Sequence, residues 1–256
     1  MLTAEKIQEN WTNFLEVIKI YISSPRKEKL LEFYQKYEER FILMPASHKP
    51  QYHNCFPGGY IDHVLRVVDA AIGINKVWVA MGVTENYSVE ELVFSAINHD
   101  LGKFGTLEEA AYIPQTDQWR KDKLGERYTY NDKLEFMSVP DRGLFLLNSQ
   151  GIEVSKNELL SIKLHDGIYD DANKPYLMGW LPEQKPRTSL VHILHHADML
   201  AARIEFEHEW FPKFGVKSSV AKPVKENTLS TNQKTSSKLP VSKGKSSLLE
   251  TLNSLK

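Results

Sequence analysis

Apolar residues recur along this chain at the three-and-four spacing of helices buried on one side. Ile7, Trp11, Phe14, Leu15, Ile18 and Tyr21 mark a first helix. Ser24-Pro25 opens a second, whose face runs through Leu30, Tyr34, Tyr37 and Phe41 until Met44-Pro45 stops it. Beyond a loop over 45–59, Ile61, Val64, Leu65, Val68 and Ile72 stripe another helix, with His63 on the border of the stripe. Val89, Leu92, Val93, Ala96 and Ile97 stripe the next, with His99 and Asp100 in its last turn and Gly102 supplying its end. Leu159 to His165 reads as a helix end. Leu190, Ile193, Leu194, Ala197, Leu200, Ala201 and Ile204 form the stripe of a last core helix, with Asp198 beside it and His195 one turn earlier. The pattern predicts an all-α bundle, in which a helical pair over 1–44 packs on a core over 45–215. No internal repeat is evident.

After Gly215 the chain turns to Lys, Ser, Thr, Asn and Pro. Such a segment cannot bury enough surface to offset its ordering entropy, so 216–246 is expected to be a disordered basic linker. Leu248, Leu249, Leu252 and Leu255 make 247–256 a short amphipathic segment that needs a surface, whether its own domain, a second subunit or another protein.

Composition adds limits. With 256 residues, 41% hydrophobic and 25% charged, the chain suits one or two soluble domains with a sizeable core. No apolar run approaches a membrane span, and MLTAEKIQENW lacks the apolar core of a signal peptide, so a cytoplasmic protein without a membrane partner is expected. Its one cysteine, Cys55, excludes an internal disulfide. The net charge of −1 hides an asymmetry: residues 218–256 hold seven lysines against two glutamates, or +5, which leaves −6 on the rest. The basic tail would tolerate weak nucleic-acid contact.

The chemistry centres on two words, FPGGYIDH ending in His63 and INHDLGK holding His99, Asp100 and Lys103. Imidazoles and a carboxylate set on helices suit a divalent ion of manganese, iron, nickel, cobalt, zinc or magnesium. Asp198, beside an apolar stripe, needs a partner, and a metal would serve. Lys103 would neutralise a phosphate oxygen next to such an ion, or else act as a cation at a helix C-terminus. His53 is either a site residue or a solvated loop histidine. The glycine pair Gly58-Gly59 lets backbone approach another element or an anion. The stretch from Tyr112 to Arg142 mixes Trp119, Tyr128 and Tyr130 with Arg120, Lys121, Lys123 and Arg127; it reads equally as a nucleotide-binding surface or a solvated charged hairpin. Asp166, Asp170, Asp171, Lys174 and Tyr176 would shape a lid, while Arg203 and Glu205 read as structural.

The order His63, His99-Asp100, Asp198 resembles the HD-domain superfamily of metal-dependent phosphohydrolases, and GGxxxH, HDxGK and HxAD together carry the resemblance from roughly Pro45 to Glu207. HDxGK is similar to the phosphodiesterase branch, and the chain is also similar to HD-domain proteins carried by bacteriophages. The resemblance implies an HD helical bundle, with His63, His99, Asp100 and Asp198 as ligands of one tightly bound metal. It implies a nucleotide substrate, hydrolysed at a phosphoester or phosphoanhydride bond with Asp100, Lys103 and His165 at the catalytic centre. Trp119, Arg127, Arg142 and Arg187 are candidates for holding the substrate, and His165 and His195 for a second metal or a phosphate. Two-metal relatives carry additional histidines where this chain has FMSVPDRGLFLL, which makes a full dinuclear site doubtful. A di-iron oxygenase and a non-catalytic nucleotide-binding module stand as alternatives.

Overall fold

The computed structural model describes residues 2–209 and 211–214. The linker and amphipathic segment expected over 216–246 and 247–256 lie outside the described residues. The chain is mostly helical, as its periodicity predicts.

Helix α1 (Ala4–Tyr21) begins at Thr3, whose hydroxyl accepts from the Lys6 amide at 3.2 Å. The second predicted helix is two: α2 (Arg26–Lys36) and α3 (Glu38–Leu43), separated at Tyr37. The break turns Phe41 inward. Its ring stacks on Phe104 at 4.6 Å and lies 4.7 Å from Tyr34, and all three side chains are fully buried. Seven residues of straight helix would set Tyr34 and Phe41 about 10 Å apart along the axis, and the break lets their rings meet. The aromatic cluster braces the chain just beyond the His99-Asp100 turn, because Phe104 belongs to it.

The bundle's centre is α4 (Gly59–Ala80), which packs on α1, on α5 (Val89–Asn98) and most extensively on α10 (Leu190–Glu209). Here Gly58, at φ +81°, turns the loop into α4, and a Cβ on Gly59 would fall 2.1 Å from the Asn54 carbonyl oxygen. The glycine pair therefore serves a close backbone approach within the protein.

After α5, a single 3-10 turn covers Leu101–Phe104. Gly102, expected to supply the end of α5, lies within this turn, past the last helical residue Asn98. It leaves room for a neighbour: a Cβ there would lie 2.0 Å from the Val139 carbonyl oxygen of α7 (Val139–Ser149). The stretch between is an antiparallel pair, β1 (Tyr112–Pro114) and β2 (Tyr128–Tyr130), with Tyr112 opposite Tyr130, and α6 (Gln118–Leu124) inserted at its tip.

Helix α8 (Lys156–Leu164) runs parallel to α5, side by side with it. Ser155 bonds Glu91 at 2.6 Å, Ser161 bonds Ser95 at 2.8 Å, and His165 faces His99 with ring centroids 5.0 Å apart. The two helices are built alike. Each starts with a serine-glutamate capping box, Ser88 with Glu91 and Ser155 with Glu158, and each runs out into a His-Asp doublet. This short internal repeat escaped the sequence reading. The strap from Gly167 onward contains α9 (Lys174–Leu177) and returns to α10. On α10, Leu190, Ile193, Leu194, Ala197 and Ala201 are buried as predicted, but Leu200 is 43% exposed, Ile204 is half-buried and its neighbour Glu205 is buried instead.

Candidate metal centre

Three helices converge on one point. His63 arrives from the second turn of α4, His99 and Asp100 from the end of α5, and Asp198 from the middle of α10. Each imidazole turns its Nε2 inward because its Nδ1 is held. Nδ1 of His99 donates to the Ala96 carbonyl oxygen at 2.8 Å, and Nδ1 of His63 meets the Glu205 carboxylate at 3.1 and 3.2 Å. Asp198 Oδ1 lies 3.1 Å from Nε2 of the same His63 ring. Seven residues, close to two turns, separate Asp198 from Glu205, so α10 holds both edges of one imidazole.

Five of the six separations among His63 Nε2, His99 Nε2, Asp100 Oδ2 and Asp198 Oδ1 fall between 3.1 and 3.7 Å. An ion about 2.1 Å from four donors at tetrahedral corners holds them about 3.4 Å apart. The donor set therefore fits a divalent metal in both spacing and chemistry. Fixed Nδ1 atoms with Nε2 converging are the arrangement that positions histidine ligands. The donors His99, Asp100 and His165 also lie within 4.8 Å of one another, as do His165, Asp166 and Asp198.

The electrostatics agree. Burial alone would raise the Asp100 carboxyl, but the Lys103 ammonium, 2.5 Å from its Oδ2, and His99 hold it well below the usual carboxylate range. Asp198 is lowered in the same way by His63 and His99 against the opposing effect of burial. For His63, burial favours the neutral ring, yet Glu205 and Asp198 outweigh it and push the pKa up to about 10. His165 rises to about 9 against burial through Asp166 and Asp100. Without a divalent ion, Lys103 and imidazolium protons are what balance Asp100, Asp198 and Glu205.

The structure thus gathers His63, His99, Asp100, Asp198, Lys103 and His165. His165 is 2% exposed, with Nδ1 donating to the Ile162 carbonyl oxygen at 2.7 Å and Nε2 at 3.7 Å from Asp100 Oδ1. His195 stands behind it, its Nδ1 donating to the His165 carbonyl oxygen at 2.7 Å, and it shares none of the metal-sized donor groups. Arg142 is buried on protein partners, the Gly102 and Glu135 carbonyl oxygens and the Tyr130 hydroxyl; it ties the β1–β2 pair to the turn after Asp100. Trp119 on α6 is 60% exposed, and Arg127 is exposed just before β2. Arg187 lines a separate cleft that contains no residue of the cluster.

Three residues join the site beyond those predicted. Glu205, read as structural, is the buried partner of His63 and also accepts from Arg66 Nε at 3.1 Å. Asp166, read as part of a lid, completes the second doublet at 3.7 Å from His165 Nε2. The capping-box-to-His-Asp repeat is the signal that would have found it. His53, left open, stacks over His63 with centroids 4.4 Å apart, and its buried Nε2 has no hydrogen-bond partner among the described residues.

No described helix is long and apolar enough to cross a membrane. No protein-family model, curated protein or solved structure matches the chain.

Proposed function

We propose that this chain is a metal-dependent phosphohydrolase of the HD type, acting on a phosphoester or phosphoanhydride bond of a nucleotide in a reducing, cytoplasmic setting. The observation that carries the reading is the juxtaposition of four metal-spaced donors with an ammonium, Lys103 Nζ, 2.5 Å from one of them. A ligand set alone suits many chemistries. A cation placed against it suits an anionic substrate whose equatorial oxygens gain charge in the transition state.

His63, His99, Asp100 and Asp198 would hold the ion. When bound, it supplies Lewis acidity that polarises a phosphoryl oxygen and lowers the pKa of water. The protein's own groups do the rest. Asp100 presents Oδ2 toward the cluster and Oδ1 toward His165, so the second oxygen can orient the attacking water. Lys103 neutralises a phosphoryl oxygen. His165 is the proton donor best placed for the leaving oxygen, since its Nε2 faces the cluster and its Nδ1 is fixed. His53 closes the opposite side with an unpaired ring nitrogen that a substrate oxygen or hydroxyl would satisfy.

Phosphate release across a panel of mononucleotides, nucleoside triphosphates and cyclic dinucleotides, with manganese present, tests the reading beside His99→Ala. Release by the native chain that vanishes in the variant is the expected result. No release from any of these substrates, with manganese still bound, overturns it in favour of an oxygenase or a binding module.

A further inference from the structure

The parallel pair α5 and α8 has two ends, and the metal cluster uses only one. At their N-terminal ends lies a cleft of about 620 Å³, a size ordinary for small-molecule sites. Glu91 of α5 and Ser155, Lys156 and Asn157 of α8 form one side; Tyr176 and the segment Gln184–Thr188 form the other. Eight residues separate Glu91 from His99 and nine separate Lys156 from His165. At about 1.5 Å per helical residue, the cleft is about 12–14 Å from the cluster.

Its charge stands out. Residues 1–217 carry −6, yet this cleft holds three cations, Lys156, Lys185 and Arg187, against the single carboxylate of Glu91. All three are exposed, and none of their side chains bonds or pairs with any described residue. Glu91 is by contrast fully engaged: it accepts from the Ser88 amide at 2.8 Å, Ser155 Oγ at 2.6 Å and Asn157 Nδ2 at 3.2 Å. Three unpaired cations converging on one concavity call for more than one anionic group.

The remaining lining is not that of a bare phosphate site. Tyr176, 42% exposed, meets no other aromatic ring among the described residues. Asn86 donates its amide to the Arg187 carbonyl oxygen at 2.7 Å, and Asn157 donates its own to the Asn86 carbonyl oxygen at 3.0 Å. Both side-chain carbonyl oxygens meet no donor among the described residues and can accept from ring amino groups or sugar hydroxyls. An aromatic face, outward acceptors and a cationic rim together match a base, a sugar and a run of phosphates.

We infer that this cleft binds a nucleoside polyphosphate, at a site separate from the metal centre. The cleft and the centre are joined through parts already described. The cleft wall from Tyr176 to Thr188 belongs to the strap that begins at Asp166, and Gly167, at φ +58°, seats that strap so tightly on His195 that a Cβ would lie 2.4 Å from its ring. Phosphates drawn onto Lys185 and Arg187 would fix the far end of a segment whose near end carries a site carboxylate.

Binding to the full-length chain decides the matter. The probe is the β,γ-methylene analogue of ATP, followed by calorimetry and repeated with the guanine, cytosine and uracil analogues. At least one should bind, weaken by about tenfold or more in the double variant Lys185→Glu with Arg187→Glu, and change by less than about threefold in Asp198→Asn. Both substituted surface residues are exposed, so the double variant keeps the fold. Loss of binding in Asp198→Asn with retention in the double variant would place the nucleotide at the cluster and overturn the inference. So would the absence of binding by all four analogues up to about 1 mM. Inorganic triphosphate binding as tightly as the best analogue would overturn the nucleoside assignment. Because binding rather than turnover is read, failure of the hydrolase reading leaves this result standing.

Discussion

His99 and His165 are held alike: each donates Nδ1 to the carbonyl oxygen three residues earlier, at 2.8 and 2.7 Å, and their rings meet edge to face 5.0 Å apart. Two parallel helices with matching capping boxes deliver two His-Asp doublets to one place. The centre is built by local duplication of a helix end, and α4 and α10 close it from the other side.

The grip of α10 on His63 gives the first prediction. Glu205 fixes Nδ1, so Glu205→Gln keeps a side chain of the same shape while removing the charge that orients and enriches the ring. Metal affinity should fall about 10–100-fold, as for other changes behind a ligand. Competition for manganese or zinc against a chromophoric chelator measures it. Native affinity in the variant would mean that Glu205 only packs.

His53 separates stability from activity. A buried nitrogen without a partner costs about 1–3 kcal/mol, so His53→Leu should leave the fold equally or more stable in urea melts. The same change should lower phosphate release by about tenfold or more, with metal affinity nearly unchanged, if the ring serves a substrate oxygen. Reduced stability would show that the imidazole already has a partner in solution.

The metal-free protein should show a distinctive pH dependence. His63 and His165 are raised to about 10 and about 9, above the ordinary imidazole value of 6.5. Groups raised on folding add stability that is fully present below pH 6.5 and is lost as pH climbs through 9 to 10. Unfolding of chelator-treated protein should therefore become easier across that window, and added metal should flatten the fall. Metal binding should also release protons below pH 9, since a ligating imidazole must be neutral. Calorimetry in buffers of different ionisation enthalpy counts them, and a value of zero would contradict the assigned protonation.

Grouping His63, His99, Asp100 and Asp198 as one metal set rested on their resemblance to the HD pattern, and spacing supplied only where each sits on its helix. His63 and Asp198 could be placed beside apolar stripes, and Asp100 at a helix end, before any tertiary contact was known. Glu205 was not legible, since a glutamate late in a helix ordinarily faces water and only the arrival of His63 and Arg66 explains its burial. Nor was Arg187: its position depends on how the strap from Gly167 to Ser189 folds back, and short irregular turns carry no periodicity. The break at Tyr37 was hidden for another reason. Tyr34, Tyr37 and Phe41 keep helical spacing through it, and only the tertiary packing of Phe33, Tyr37 and Phe41 around Phe104 shows the two segments apart. Gly102 reads in sequence as a helix end, and only the approach of Val139 shows what its missing Cβ serves.

Arg26 gives the last prediction, away from the centre. Its guanidinium bridges Glu90 at 2.5 Å and Glu158 at 2.8 Å, and Glu158 is fully buried at the start of α8. Burial raises the Glu158 carboxyl despite the opposing Ser155 amide and Arg26, so this carboxylate is marginal even when paired. Arg26→Met would leave it buried beside Glu91 with no cation, a change that typically costs about 3–5 kcal/mol. Adding Glu158→Gln removes the stranded charge while keeping a group that can bond the Ser155 amide, and should recover much of the loss. Urea unfolding of the two single variants and the double variant measures the coupling. Additive losses would mean that Arg26 acts through its stacking on Phe94, 4.2 Å from the ring centroid, rather than through Glu158.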